Sequence, residues 1–311
     1  MMIPFIALLV GQAAPAFVPN AKLGTPYLLG YVSVISGTKT VMDVGSERWV
    51  TLNSVRTALS FAGKHETFLA AEGKKLVLLN CTIKNPSKTI AQLSPDQTFG
   101  VRIFDAGAVK GDYHNAGAVG TSLEPLHKDL KKGESTDFTV VFYAPAKFST
   151  LRIGLFFGHQ GLNNMRKYDL TTSVAKSTSV FSTDGLTYSD TAQVSAGQIF
   201  ELDALEARVL GIRALPGELQ YAVDVQITNR TLLPAKWGWQ YVAASLTTTT
   251  GESIAFYPDF LDQATGKSWY GEIPAGASVT GEYRFNPGKS ISVKSCTLKT
   301  ASTNRTVVVN L

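Results

Sequence analysis

Charge is scarce in this sequence: Asp, Glu, Lys and Arg make up 17% of its 311 residues, against 44% hydrophobic ones. Histidine is scarcer still. All four, His65, His114, His127 and His159, precede the midpoint region of the linker, so a His-based triad is excluded from the second half. They form no His-x-His, His-x-x-x-His or His-Glu-x-x-His spacing, and Asp112 near His114 completes no ligand motif, so no metal is expected. No serine stands in Gly-x-Ser-x-Gly. The Gly-rich stretch 106–120 lacks the Lys-Ser/Thr pair of a phosphate loop. Asp259 and Asp262 are a pair of the kind that 24 acidic residues bring together anyway. The expectation is a protein that is not an enzyme and needs no cofactor. No long amphipathic helical period occurs, which argues against an α/β fold.

Two cysteines remain to be placed, and a repeat places one of them. Residues 73–85, GKKLVLLNCTIKN, are matched about 145 residues later by residues 217–229, GELQYAVDVQITN. With Ile83 on Ile227, residues Val77, Leu79 and Cys81 align with Tyr221, Val223 and Val225, and Asn85 aligns with Asn229. A position that accepts valine is a small core position, so Cys81 is read as a core residue and no disulfide to Cys296 is expected. Alternation puts Val77, Leu79, Cys81 and Ile83 on one face of a strand, with Leu76, Leu78, Asn80, Thr82 and Lys84 on the other.

A second pair of segments repeats as well. Gly133, Ser135 and Pro145 of KKGESTDFTVVFYAP match Gly276, Ser278 and Pro287 of PAGASVTGEYRFNP, with one residue of slippage. The pieces preceding the central strands, residues 44–61 and 196–212, begin as strands and then become ambiguous, since 54–59 and 204–210 would also suit short helices. Their equivalent placement favours strand. Each half then offers about seven short strands with turn signals between them. The fold expected is all-β: two tandem antiparallel immunoglobulin-like β-sandwiches at 28–172 and 184–311, joined by a Ser/Thr-rich linker at 171–183.

The segments EGKKLVLLNCTIKNPSK, FGVRIFDAGAVKGDY and LKKGESTDFTVVFYAP resemble the immunoglobulin-like modules of bacterial secreted proteins and lipoproteins, of which the immunoprotective extracellular antigen is the type member. Residues 65–157 fit that pattern well and 217–290 more loosely. The resemblance implies a β-sandwich and carries no catalytic residues over. The chain departs from the lipoprotein members in lacking a lipidated cysteine.

Residues 1–16, MMIPFIALLVGQAAPA, read as a signal peptide with cleavage after Ala14 or Ala16, although the positive leading region is missing; a buried first strand is the other reading. A secreted or periplasmic protein follows, with no transmembrane segment after signal removal. Net charge is +5, but the densest basic group, Lys128, Lys131 and Lys132, includes Asp129 and lies in a turn. No nucleic-acid partner is expected. The partner expected is an unknown protein or glycan of the cell envelope, and the function that of an adhesion or protein-interaction module. The alternative is a carbohydrate-binding protein. In WGWQY, residues Trp237, Trp239 and Tyr241 would share one face if the segment were a strand, and Trp269 follows. Exposed, these four make a stacking platform; otherwise they fill a core or the domain junction.

Overall fold

The computed structural model describes residues 18–30, 32–35, 39–42, 46–94, 99–104, 112–115, 117–157, 165–216, 219–256, 259–269 and 271–311. The candidate signal segment 1–16 lies outside them. The described residues are all-β and form β-sandwich layers with no helix. No helix among them is long and apolar enough to cross a membrane.

In the first half one sheet has the order β1 (Pro26–Leu29), β4 (Arg48–Ala58), β7 (Lys74–Lys84), β13 (Ser135–Pro145) and β11 (Gly117–Gly120). The free edge of β4 carries β1 along residues 48–51 and the parallel strand β16 (Val174–Ala175) along 55–56. The facing sheet runs β10 (Asp112–Asn115), β9 (Phe99–Phe104), β14 (Arg152–Phe157) and β15 (Arg166–Asp169). Two-stranded additions are β2 (Val32–Ile35) with β3 (Lys39–Met42), β5 (Ser60–Ala62) with β6 (Thr67–Leu69), and β8 (Ala91–Leu93) with β12 (Lys128–Leu130).

In the second half one sheet has the order β17 (Thr191–Ser195), β28 (Thr306–Asn310), β27 (Val293–Thr300), β22 (Val242–Thr248) and β23 (Ser253–Ala255). The other runs β18 (Phe200–Leu202), β19 (Leu205–Ala214), β20 (Tyr221–Asn229), β26 (Ser278–Phe285) and β24 (Phe260–Asp262), with β21 (Ala235–Lys236) pairing β25 (Glu272–Ile273).

The face assignment made from alternation is the observed one. Val77, Leu79, Cys81 and Ile83 are buried in one core with Leu52, Val140, Ile153 and Tyr168. Leu76 and Leu78 point the other way and are equally buried, because the β5–β6 hairpin and the segment carrying Phe181 and Tyr188 cover that part of the sheet. Further along, Asn80 and Thr82 stay partly exposed. On β20, Val223, Val225 and Ile227 are fully buried. Both cysteines are buried free thiols, one in each of the two cores. Burial raises both thiol pKa values, that of Cys296 to about 12, so neither ionises readily.

The two ambiguous segments are strands, and the ambiguity has a cause. The β4–β7 register slips between Leu52 and Ser54, where Leu52 opposes Cys81. The β19–β20 register slips between Val209 and Gly211, where Val209 opposes Val225. A bulge therefore stands opposite each of the two aligned positions. An extra residue switches the side-chain parity: buried positions run Arg48, Val50, Leu52 and then Val55, Thr57. A strand that changes parity halfway loses its period of two, which is why the sequence also suited a short helix.

Asn85 and Asn229 are both fully buried and do the same work. Asn85 Nδ2 donates to the carbonyls of Thr89 and Leu130, each at 2.8 Å, while its Oδ1 accepts from Ser87 N–H at 2.9 Å. Asn229 Nδ2 donates to Leu233 at 2.7 Å and Ile273 at 2.8 Å, and its Oδ1 accepts from Thr231 N–H at 2.9 Å. The backbone carbonyl of each takes an N–H from a left-handed glycine, Gly133 (φ +76°) and Gly276 (φ +73°). Only glycine adopts that φ without strain, so the strand end and the following turn are locked together.

The segment expected as a linker, 171–183, is packed: Val174 pairs with β4 and Phe181 is buried. Beyond it, Tyr188, within the expected second sandwich, is buried too; its N–H donates to Ala146 O at 3.0 Å and its hydroxyl lies 2.9 Å from Thr57 Oγ1. The Asp184 carboxylate accepts the Leu186 and Thr187 N–H groups, both at 2.7 Å, and these bonds hold its pKa far below the usual range.

Candidate functional site

The WGWQY segment is not a strand. Trp237 follows β21 directly, and the N–H groups of Tyr241 and Val242 both return to Gly238 O at 3.0 Å, closing a turn. Gly238 has φ +139°, and a Cβ there would lie 3.3 Å from the Trp269 carbonyl oxygen, so no other residue fits. A turn has no face with a period of two, and the expected row of three aromatics does not form. Trp237 is 1% exposed and packs edge-on to Phe260 at 6.1 Å. It fills the core and offers nothing to a ligand.

Trp239 and Tyr241 remain 37% and 39% exposed. The Lys236 ammonium lies 6.0 Å from the Tyr241 ring centroid. Trp269 is half-buried; its Nε1 donates to Gly271 O at 3.2 Å, and its ring lies against Gly271, where a Cβ would meet it at 3.3 Å. Tyr270 lies outside the described residues. The platform therefore reduces to Trp239 and Tyr241 on a turn, with Trp269 beneath the same loop.

His65 and His127 border a shallow depression of about 420 Å³ with Ser122 and Glu124. His65 Nε2 is 3.8 Å from Glu124 Oε1, which already receives Lys64 Nζ at 2.6 Å. His114 sits on β10 opposite Val101, and His159 is outside the described residues. No group of three or more His, Cys, Asp or Glu side chains that could hold a metal occurs among the described residues.

The junction between the halves holds two buried cationic side chains, Arg305 and Lys75. Arg305, 1% exposed, donates to Ala70 O at 2.7 Å, Lys74 O at 3.2 Å and Ala71 O at 3.3 Å. The Asp190 carboxylate accepts the Gly73 N–H at 3.0 Å, and Asn304 Nδ2 reaches Glu72 at 3.1 Å. Lys75, also 1% exposed, donates from Nζ to the carbonyls of Phe148 and Leu186, each at 2.5 Å. Burial lowers its pKa to about 8, with Asp184 opposing the shift. The bonds of Arg305, and of Lys75 to Leu186, join the two halves through main-chain carbonyls, which a directed donor holds in a fixed orientation.

Beside this junction lies a cleft of about 540 Å³, walled by the end of β4, residues 175–180 and the β18–β19 hairpin. Arg56, in the cleft lining, is an exposed residue, and partial desolvation lowers its pKa. Its guanidinium lies 5.7 Å over the Phe61 ring, with no hydrogen bond or ion pair to another described residue. Glu201, also in the lining, accepts a bond from the Ser179 hydroxyl, and burial raises its pKa. The sequence carries no signal for this cleft, because its lining comes from residues of both halves.

No family model matches the chain, and no curated protein matches it. Among solved structures it is similar to an uncharacterised β-sandwich protein from Clostridium difficile 630, at 16% identity over 46% of this chain and 91% of that one, with a TM-score of 0.30. At that score the likeness carries no argument about function.

Proposed function

We propose that this is an exported, non-enzymatic interaction module of the cell envelope or extracellular space, built from two tandem immunoglobulin-like sandwiches at 28–172 and 184–311. The observation that carries the reading is the junction. Arg305, Asp190 and Lys75 bond across the two halves, the Arg305 bond to Ala70 O being buried, which suits a rigid body presenting a constant surface. The paired features of the two halves support a duplicated module: the same bulge beside the central strand and the same buried asparagine at its end. Residues 1–16 are proposed as the export signal. The resemblance of 65–157 to immunoglobulin-like modules of secreted bacterial proteins agrees with both.

Export is tested by expressing the full chain in bacteria and fractionating the cells. Protein in the periplasm or medium, shortened by 14 or 16 residues, is the expected result; an intact chain in the cytoplasm refutes it. The interaction role is tested with labelled protein on intact cells, where saturable binding competed by unlabelled protein is expected. Binding that rises linearly and is not competed refutes it.

A second reading, carbohydrate binding through aromatic stacking, is favoured by the exposure of Trp239 and Tyr241. It predicts that Trp239→Ala and Tyr241→Ala abolish retention on an immobilised sugar, while unchanged retention in both variants removes it.

A further inference from the structure

The outer face of the first-half sheet, turned away from the core of Leu52, Leu79 and Val140, carries an ordered set of polar side chains. Register places them in rows across β4, β7 and β13: Thr51, Thr82 and Asp137 in one, then Ser54, Asn80 and Thr139 in the next. Hydrogen bonds run across the strands. Asn53 Nδ2 donates to Thr82 Oγ1 at 2.8 Å, and Thr82 Oγ1 donates to Asp137 Oδ1 at 2.5 Å. Thr139 Oγ1 donates to Asn80 Oδ1 at 3.0 Å, and Asn80 Nδ2 donates to Ser54 Oγ at 2.8 Å. The bulge after Leu52 brings both Asn53 and Ser54 to this face: they are exposed in succession between the buried Leu52 and Val55.

These bonds fix the side chains without using up their capacity. Asp137 Oδ2, Asn53 Oδ1 and the Ser54 hydroxyl hydrogen have no protein partner among the described residues, and all three residues are exposed. One row further along β4, Trp49 opposes Lys84 and is 39% exposed. Beyond the other end, Leu78 is buried. Three positions on each of three strands are therefore open in part or in full, a face of about 14 Å by 10 Å.

The scaffold does not require such a surface. Val50 opposes Ile83 as Ala207 opposes Ile227, so Trp49 stands where the second half has Glu206, which is paired with Arg230 at 2.8 Å. By the same register Asn80 stands where the second half has Asp224, and there Arg213 bonds both Asp224 and Glu282. The second half closes the matching face with ion pairs, whereas the first leaves hydroxyls, amides and an indole.

Size, charge and chemistry limit what this face can hold. About 140 Å² is far below the roughly 800 Å² that each partner gives to a stable protein interface, so neither a second copy nor another protein domain is the occupant it suits. Its charged side chains, Lys84 and Asp137, cancel, and no net field selects an ion. Donors and acceptors already held in place favour a neutral ligand rich in hydroxyls, and an exposed indole beside them favours one with an apolar ring face. A sugar chain has both.

We propose that this face binds a neutral oligosaccharide lying across β4, β7 and β13, with one ring stacked on Trp49 and the hydroxyls of others bonded by Asn53, Ser54 and Asp137. The Asp137 carboxylate accepts from a sugar hydroxyl in a charge-assisted bond. Because the cross-strand network holds these side chains before the sugar arrives, little ordering opposes binding. The site lies in the opposite half from the Trp239 turn. The inference rests on the reading of the chain as an interaction module and names the ligand class for it; saturable cell binding that survives in Trp49→Ala would leave that reading standing while this site fails.

The test applies the full chain to a printed array of neutral, sialylated and sulfated oligosaccharides, followed by calorimetry with a retained neutral one. Trp49→Ala and Asp137→Ala should each weaken binding by about tenfold or more. Trp49→Phe, which keeps a stacking ring, should recover part of the loss, and Trp239→Ala should leave binding unchanged. Thermal melts establish that the variants, all at exposed positions, are folded. No retained oligosaccharide, retention of sialylated or sulfated ones alone, or unchanged affinity in Trp49→Ala and Asp137→Ala overturns the proposal. Loss of binding in Trp239→Ala overturns it too, and assigns the sugar to the aromatic turn.

Discussion

Replacing Asn85 or Asn229 by alanine should destabilise the protein far more than an asparagine at a strand end ordinarily would. Asn85→Ala removes two donated bonds and one accepted bond, and the bond to Leu130 O is buried. At roughly 0.5–1.5 kcal/mol each, with a surcharge where a buried carbonyl is stranded, the loss is about 3 kcal/mol. Asn229→Ala removes the corresponding three bonds and also the one from Thr231 Oγ1 at 2.8 Å, so it should cost about 1 kcal/mol more. An aspartate keeps the acceptor but turns the donor positions into lone pairs facing two carbonyls, and at neutral pH it should be worse than alanine. The assay is urea unfolding followed by tryptophan fluorescence. Trp49 reports on the first half, and Trp237, Trp239 and Trp269 report on the second. The midpoint should fall without a change in slope. An alanine variant within about 0.5 kcal/mol of the parent, or an aspartate variant as stable as the parent, would refute the claim that these side chains hold the strand ends.

Three further outcomes follow from the junction and the aromatic turn. Arg305→Met keeps apolar bulk but strands the carbonyls of Ala70, Ala71 and Lys74; a cost of about 3 kcal/mol is expected, with one calorimetric transition separating into two, and an unchanged melt would show the junction to be incidental. Lys75 has a folded pKa of about 8, below its unfolded value of 10.5. Between those pH values the unfolded chain binds the extra proton, so this group's contribution to stability rises from pH 8 to 10.5 by an amount on the order of 3 kcal/mol. Lys75→Met should remove that rise from the difference between the two stability–pH curves, and curves that stay parallel would contradict the assignment. Trp237→Ala should cost about 3–5 kcal/mol as a buried aromatic, while Trp239→Ala costs less than about 1 kcal/mol; equal losses in chemical denaturation would mean that the two rings are not divided between core and surface.

The all-β class was legible in the sequence because it depends on local pattern. Alternation on residues 74–84 placed Val77, Leu79, Cys81 and Ile83 on a core face, and the alignment of Cys81 with Val225 identified a core thiol. A strand's period of two is written in consecutive residues, and comparing two similar segments separates what a strand needs from what it tolerates. The bulges at Leu52/Ser54 and Val209/Gly211 left only a trace, a loss of period that two secondary structures explained equally well. WGWQY gave alternation without a strand, because Gly238 at positive φ closes a turn that side-chain chemistry alone does not announce. Which tryptophan is core and which is surface was decided by packing against Phe260. The docking of Arg305 onto residues 70–74 and the gathering of residues from both halves around one cleft were likewise beyond the sequence. Such contacts join residues remote along the chain, and their energy depends on burial and direction, which exist only once the tertiary fold has brought the two halves together.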